Sequence, residues 1–307
     1  MGTPEFAVAS LERLLQAGYE VVGVVTAPDR PAGRGRQLRQ SAVKAYALEK
    51  GLPILQPEKL KSEDFLQALR ALKADLQVVV AFRMMPREVW DMPGYGTFNL
   101  HASLLPDYRG AAPINRVLMA GETATGVTTF FIDDQIDTGA ILFQRETPVG
   151  PDETAGELHD RLMDMGAELV VETANRIADG TAIPRAQPGR AGLHTAPKID
   201  KAGCRVNWDR PLDEIYNHIR GLSPYPAAWA LLKNGAETQE VKLFRVAPVK
   251  EAHSFPPGKL FWDKAGMKVA VPGGYIRFLE IQLAGKRRLE IKEVLNGLNL
   301  AENAQMA

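Results

Sequence analysis

Asn99 and His101 stand two residues apart in the stretch FNLHASLLPDYRG (98–110). Side chains alternate along a strand, so these two point to the same side and can converge. An amide donor beside a ring that is donor, acceptor or acid can stabilise an oxyanion in acyl transfer. Such a site needs a third group to hold the imidazole and take up a proton. FIDDQIDTGAIL (131–142) offers Asp133, Asp134 and Asp137, in a loop after the next strand-like run. Taken singly, each has an ordinary structural reading, and an aspartate before Thr-Gly is commonly a turn former. Together, at the ends of adjacent strands, they make a candidate acyl-transfer site.

Other chemistries lack their motifs. No GxGxxG follows a strand, and there is no Walker loop and no GxSxG elbow. The histidines at 101, 159, 194, 218 and 253 are scattered without ligand spacing, so no catalytic metal is expected. The single cysteine, Cys204, has no internal disulfide partner and reads as an inert thiol in a reducing cytoplasm. A long Pro/Gly/Arg-rich segment, TAPDRPAGRGRQLRQSAVK (26–44), carries Arg30, Arg34, Arg36 and Arg39. Four arginines on one loop could grip phosphates, or the loop could simply be solvated.

These residues need a scaffold. VVGVVT (21–26), LQVVVAF (76–82), GTFNLH (96–101) and GVTTFFI (126–132) are near-continuous apolar runs, as expected of strands buried on both faces. Helical patterns lie between them at 5–17, 41–50, 63–73, 112–120 and 152–180. For the first of these, Thr3 is the expected N-cap. The alternation predicts an α/β fold, a doubly wound, mainly parallel Rossmann-like sheet over residues 1–182. An aperiodic, proline- and glycine-rich linker follows at 183–203. Residues 204–307 then give one helix (211–222) and short turn-punctuated strands, the pattern of a small β-barrel or sandwich.

The chain is neutral, with 37 Lys+Arg and 37 Asp+Glu, but its charge is unevenly placed. Residues 201–307 carry 16 basic against 11 acidic side chains, and residues 27–50 carry six against two. Two separated basic regions could straddle a polyanion. No apolar run is long enough to span a bilayer and no signal peptide is present, so a cytoplasmic monomer without membrane contact is expected.

GTPEFA, DRPAGRGRQL, NLHASLLPDYRGAAPINRVL, DTGAIL and VNWDRPLDEIYNHIRGLSPYPAAW, in that order, resemble the methionyl-tRNA formyltransferase family, within the folate-dependent formyltransferases. The resemblance implies formyl transfer from 10-formyltetrahydrofolate, as co-substrate, to the α-amine of methionyl initiator tRNA in translation initiation. It assigns Asn99 and His101 to oxyanion stabilisation. Asp137, the aspartate that precedes Thr-Gly, is assigned to orienting His101 and assisting proton removal from the amine. Ser103, Leu104, Leu105 and Pro106 match the folate-binding segment. The loop of Arg30, Arg34, Arg36 and Arg39 matches the one that meets the tRNA acceptor end, with Lys198 and Lys201 in the linker. The second domain would be an OB-like, tRNA-binding barrel. A related enzyme acting on an amino sugar or small amine, or a non-catalytic nucleic-acid-binding protein of the same fold, are the alternatives.

Two departures stand out. AFRMMP (81–86) places Arg83 where relatives often carry a small residue beside the pterin pocket. The chain also reaches a turn and helix at Gly2-Thr3-Pro4, where a doubly wound domain opens with a central strand. The expectation is that this first strand lies upstream and that Met1 is an internal methionine.

Overall fold

The computed structural model describes residues 1–32, 37–189 and 191–307. In chain order the first elements are α1 (Glu5–Gln16), β1 (Val24–Val25), β2 (Arg30–Ala32), β3 (Gln37–Arg39), α2 (Ala42–Glu49), β4 (Ile54–Leu55), α3 (Glu63–Ala71) and β5 (Gln77–Val80). They are followed by α4 (Arg87–Trp90), β6 (Thr97–His101), β7 (Arg109–Gly110), α5 (Pro113–Met119), β8 (Ala124–Phe131), β9 (Ile141–Pro148) and α6 (Ala155–Ala178). The remainder comprises β10 (Thr195–Ala196), α7 (Leu212–Leu222), β11 (Ala228–Asn234), β12 (Glu237–Val249), β13 (Leu260–Trp262), β14 (Met267–Val271), β15 (Gly274–Leu283), β16 (Leu289–Glu290), α8 (Ile291–Leu295) and β17 (Gln305–Met306).

The first compact unit comprises residues 1–110, 125–147 and 160–195. Its main sheet has the order β5-β6-β8-β9, and β1 and β4 form a separate parallel pair. β5 and β6 are parallel, whereas β6 and β8 are antiparallel, with Phe98 opposite Phe131 and His101 opposite Thr128. The sheet is therefore more mixed than its apolar runs suggest. Continuous apolar character reports burial on both faces and says nothing of direction. Phe98 and Leu100 are buried on one side of β6, and Leu100 packs against α6 at Gly166. α1 starts at Glu5 with Pro4 at its N-cap position and no side-chain cap, so Thr3 does not cap it. Ser41 does cap α2, accepting from the Lys44 amide at 3.0 Å.

The second unit comprises residues 111–124, 148–159 and 196–307. Its antiparallel sheet runs β13-β14-β15-β12-β11-β17, and a bridge from Lys259 to Gln305 nearly closes it into a barrel. Ile215, Ile219 and Leu222 of α7 enter a core with Leu232, Leu243 and Phe278. A Gly235-Ala236 turn joins β11 to β12, with Gly235 at φ +61° at the first central position, where such a hairpin favours glycine.

α5 packs on α7, where Asn115 Nδ2 donates to the Gly221 carbonyl at 2.7 Å. Arg220, 7% exposed, donates to the carbonyls of Gly150 and Glu153. In the aperiodic stretch, Arg185 exchanges both backbone hydrogen bonds with Ile141, at 2.7 and 2.8 Å. Aperiodic sequence here means a strap whose partners are distant in sequence.

A Cβ at Gly221 would lie 2.8 Å from Met119 Cγ and 3.0 Å from its backbone nitrogen. Gly221→Ala should therefore destabilise the chain by about 1–3 kcal/mol. An unchanged denaturation midpoint would show that α5 does not belong against α7.

Candidate active site

β6 ends with Thr97, Asn99 and His101 on one side and Phe98 and Leu100 on the other. Asn99 is half-buried, and its amide makes no side-chain hydrogen bond among the described residues. His101 is 6% exposed. Its Nε2 lies 2.9 Å from the Tyr108 carbonyl. A carbonyl can only accept, so Nε2 carries the proton and Nδ1 of the neutral ring is an acceptor. Nδ1 faces Asp137 Oδ2 at 3.7 Å.

Asp137 reaches this position by a route that its place in the chain does not suggest. β8 runs antiparallel to β6, so its last residue lies beside Phe98, at the end of β6 away from His101. The idea of two adjacent carboxyl ends therefore fails, and residues 132–140 must fold back to bring the carboxylate to the imidazole. Three features hold that loop. Asp137 Oδ2 accepts from the Gly110 amide at 2.8 Å. Gln187 Nε2 donates to the carbonyls of Asp137 and Gly139 at 2.8 and 2.9 Å. Gly139 lies so close to the strand that a Cβ would fall 1.7 Å from the Phe131 carbonyl oxygen. The arrangement keeps Asp137 at φ +55°, a left-handed conformation uncommon outside glycine.

Asp133 has a different task, accepting from the Thr138 hydroxyl at 2.7 Å and the Gln135 amide at 3.0 Å to shape the loop. Asp134 is exposed. Among the three aspartates, Asp137 is the one against His101.

The Ser103–Pro106 turn is built from inside. Thr128, fully buried, donates to the Ser103 carbonyl at 2.7 Å. Its oxygen accepts from the Leu105 amide at 3.1 Å and from Gln144 Nε2 at 3.0 Å. Leu105 is buried with Phe130 and Ile141. Leu104, Leu105 and Pro106 line a cavity of about 400 Å³ together with Asp107, Gln144 and Glu146. Ser103 does not line it; its hydroxyl donates to the Asp107 carbonyl at 2.7 Å. Nor do Asn99, His101 and Asp137.

Arg83 is tied down rather than loose. Its guanidinium donates to the carbonyls of Pro57 and Glu58. Its Nε is buried without a hydrogen-bond partner among the described residues.

The arginine segment is a hairpin in its described part, with β2 and β3 antiparallel and Arg30 directly opposite Arg39. Both are exposed. Arg34 and Arg36 lie outside the described residues. In the second unit Lys198 is exposed, whereas Lys201 is paired with Glu240 at 2.8 Å and lies 5.3 Å from the Trp229 ring centroid. Cys204 is buried, and desolvation pushes its thiol pKa up, which suits an inert group. Among the described residues no helix is long and apolar enough to cross a membrane.

Sequence reasoning missed Gln187, Thr128 and Gln144. Each acts by hydrogen bonding to backbone far along the chain, and no local spacing announces that.

The comparisons with known proteins agree on one family. Residues 1–174 match the formyl transferase family model, and residues 198–299 match the model of the formyl transferase C-terminal domain. A methionyl-tRNA formyltransferase of Flavobacterium johnsoniae is 52% identical over 306 residues, covering 100% of this chain and 97% of the relative. One from Bacteroides thetaiotaomicron is 51% identical over 311 residues, covering 100% and 97%. Among solved structures, an N-formyltransferase of Helicobacter canadensis, in complex with folinic acid and dTDP-3-aminofucose, superposes with a TM-score of 0.63. It is 20% identical and covers 93% of this chain and 97% of its own, a likeness of fold alone. HypX of Aquifex aeolicus in complex with tetrahydrofolic acid gives a TM-score of 0.59 at 21% identity, covering 81% of this chain and 43% of that one. With both family models matched in order, and about half of all positions shared with relatives along the whole chain, the chain belongs to the formyl transferase family.

Proposed function

We propose that this chain transfers a formyl group from 10-formyltetrahydrofolate to the α-amino group of methionyl initiator tRNA. The observation that carries the reading is the His101–Asp137 pair on the polar side of β6 with Asn99, in a chain about half identical to named methionyl-tRNA formyltransferases. In the reaction the amine nitrogen bonds to the formyl carbon and the bond from that carbon to the folate nitrogen breaks. One proton must leave the amine and one must reach the departing nitrogen.

The tautomer of His101 suits this traffic. With Nε2–H donated to the Tyr108 carbonyl, Nδ1 offers a lone pair to the amine proton. The imidazolium so formed faces the Asp137 carboxylate at 3.7 Å, close enough to stabilise the charge and to tighten when substrate is bound. Nδ1–H then becomes the acid for the departing nitrogen. The Asn99 amide supplies a donor for the formyl oxygen as negative charge develops there.

The folate donor supplies the activated formyl group. The turn Leu104–Pro106 with its cavity suits a flat heterocycle. On this reading Ser103 serves by fixing the turn.

For the tRNA, Arg30 and Arg39 sit directly across the hairpin. Like charges in that position repel, and a phosphate placed between them would relieve the repulsion. Arg34 and Arg36 belong to the same segment and the same proposal, as does exposed Lys198. Lys201, already paired, contributes less.

His101→Ala and Asp137→Asn should each lower kcat/KM by about 10²–10⁴-fold, with circular dichroism and tRNA binding retained. Turnover near wild type would remove either residue from the mechanism. Gln187→Ala should lower kcat by roughly 10²-fold with little change in KM, because it loosens the carboxylate and touches neither substrate. Replacing Arg30 and Arg39 together by Ala should reduce the salt dependence of tRNA use by about one to two counterions. Formylation of an amino-sugar nucleotide with none of charged initiator tRNA would overturn the substrate assignment.

A further inference from the structure

The segment from Thr26 to Lys44 carries Arg30, Arg34, Arg36, Arg39 and Lys44, and its single acidic residue is Asp29. Among the described residues, the partners of that carboxylate are Lys44 and Gln56. Lys44 Nζ lies 2.5 Å from Asp29 Oδ2. Gln56 Nε2 donates to Asp29 Oδ1 at 2.9 Å and to the Ala27 carbonyl at 2.8 Å. Three stations of the chain meet there: Asp29 just before β2, Lys44 in the first turn of α2, and Gln56 just after β4. A second rung joins the same two limbs, Thr26 Oγ1 to Ser41 Oγ at 2.7 Å, with Thr26 fully buried. The β2-β3 hairpin therefore rises from a root that is closed on both limbs.

Lys44 occupies a position that local electrostatics disfavour. It is the third residue of α2, where free amides and the helix dipole favour a carboxylate, and α2 has no acidic residue in its first turn. The contact with Asp29 accounts for a cation there. The two side chains are 19% and 30% exposed, so water screens them less than it screens a pair on open surface. Hydrogen bonds from Lys44, and then from Gln56, hold the Asp29 carboxyl below the usual carboxylate range. The carboxylate is thus ionised and occupied one residue away from Arg30, which stands directly opposite Arg39. Released from Lys44 and Gln56, it would compete with an incoming phosphate for those arginines.

We propose that Asp29, Lys44 and Gln56 are positioning residues for the RNA substrate. They fix the root of the hairpin and keep its one carboxylate off Arg30 and Arg39, so that both guanidinium groups stay open to a phosphate. The proposal rests on the tRNA reading given above, and none of the three residues touches the phosphate itself. Net charge alone gives the opposite sign for one variant. Removing a negative charge from an arginine-rich segment strengthens polyanion binding when charge is all that counts. With the root held by the Asp29–Lys44 pair, Asp29→Ala loosens it and weakens tRNA use.

The test is the initial rate with charged initiator tRNA and 10-formyltetrahydrofolate, measured for the full chain and for Asp29→Ala, Lys44→Ala, the double variant and Lys44→Arg. Each alanine variant should raise KM for the tRNA about tenfold, with kcat and KM for the folate within about twofold of wild type. The double variant should match the singles and not their product, because both lose the same contact. Lys44→Arg keeps the pair and should recover most of the loss. A lowered tRNA KM in Asp29→Ala would leave net charge as the whole effect and overturn the proposal. Unchanged KM in the single variants, or losses that multiply in the double, would do the same. Equal losses toward tRNA and folate, with a lowered thermal midpoint, would reduce the trio to a staple of the fold and also overturn it. A wild-type chain that formylates no charged tRNA sinks the substrate reading and this proposal together; a wild-type chain active on tRNA beside unaffected variants sinks this proposal alone.

Discussion

The Gly110 amide, donated to the Asp137 carboxylate, is the contact on which the candidate site depends. It fixes one oxygen of a carboxylate that would otherwise ride on a loop of nine residues. Two residues earlier, the Tyr108 carbonyl takes the Nε2 proton of His101. One short backbone segment therefore sets both the tautomer of the imidazole and the place of its acidic neighbour. Neither task needs a particular side chain at 108 or 110; each needs the backbone to pass at a defined height above β6. Tyr108 adopts φ +60° to do so, and its amide is tied to the His194 carbonyl at 2.7 Å.

That dependence extends to Gln187. Gln187 carries the carbonyls of Asp137 and Gly139 on its donors, while its oxygen accepts from Arg109 at 2.6 and 3.1 Å. The glutamine joins the segment that orients His101 to the loop that bears Asp137. A charged donor in the Arg109–Gln187 contact makes it stronger than a neutral pair. Pre-organisation of this kind leaves little reorganisation to the moment of reaction.

The turn after β6 follows the same logic with different parts. Thr128 sits in the middle of β8 and spends its one hydroxyl on the Ser103 carbonyl and the Leu105 amide. A buried hydroxyl with its bonds made costs little; left unmade, each would cost about 1–3 kcal/mol. These bonds tie the turn to the sheet beneath it.

Much of this was legible from residue order. The pairing of Asn99 with His101 follows from alternation in a strand, and α7 follows from Leu212, Ile215, Ile219 and Leu222 at helical spacing. What residue order could not decide was direction and distance. β8 is as apolar in an antiparallel as in a parallel sheet, so the fold-back of the Asp137 loop was invisible. The attachment of α5 to α7 rests on one glycine that admits a close approach. Gln187 sits in an aperiodic stretch because its partners lie some fifty residues away. Local pattern is set by the period of the element a residue belongs to, and that much the sequence by itself determined. Which distant backbone groups meet is set by the path of the whole chain, and only the tertiary structure decided it.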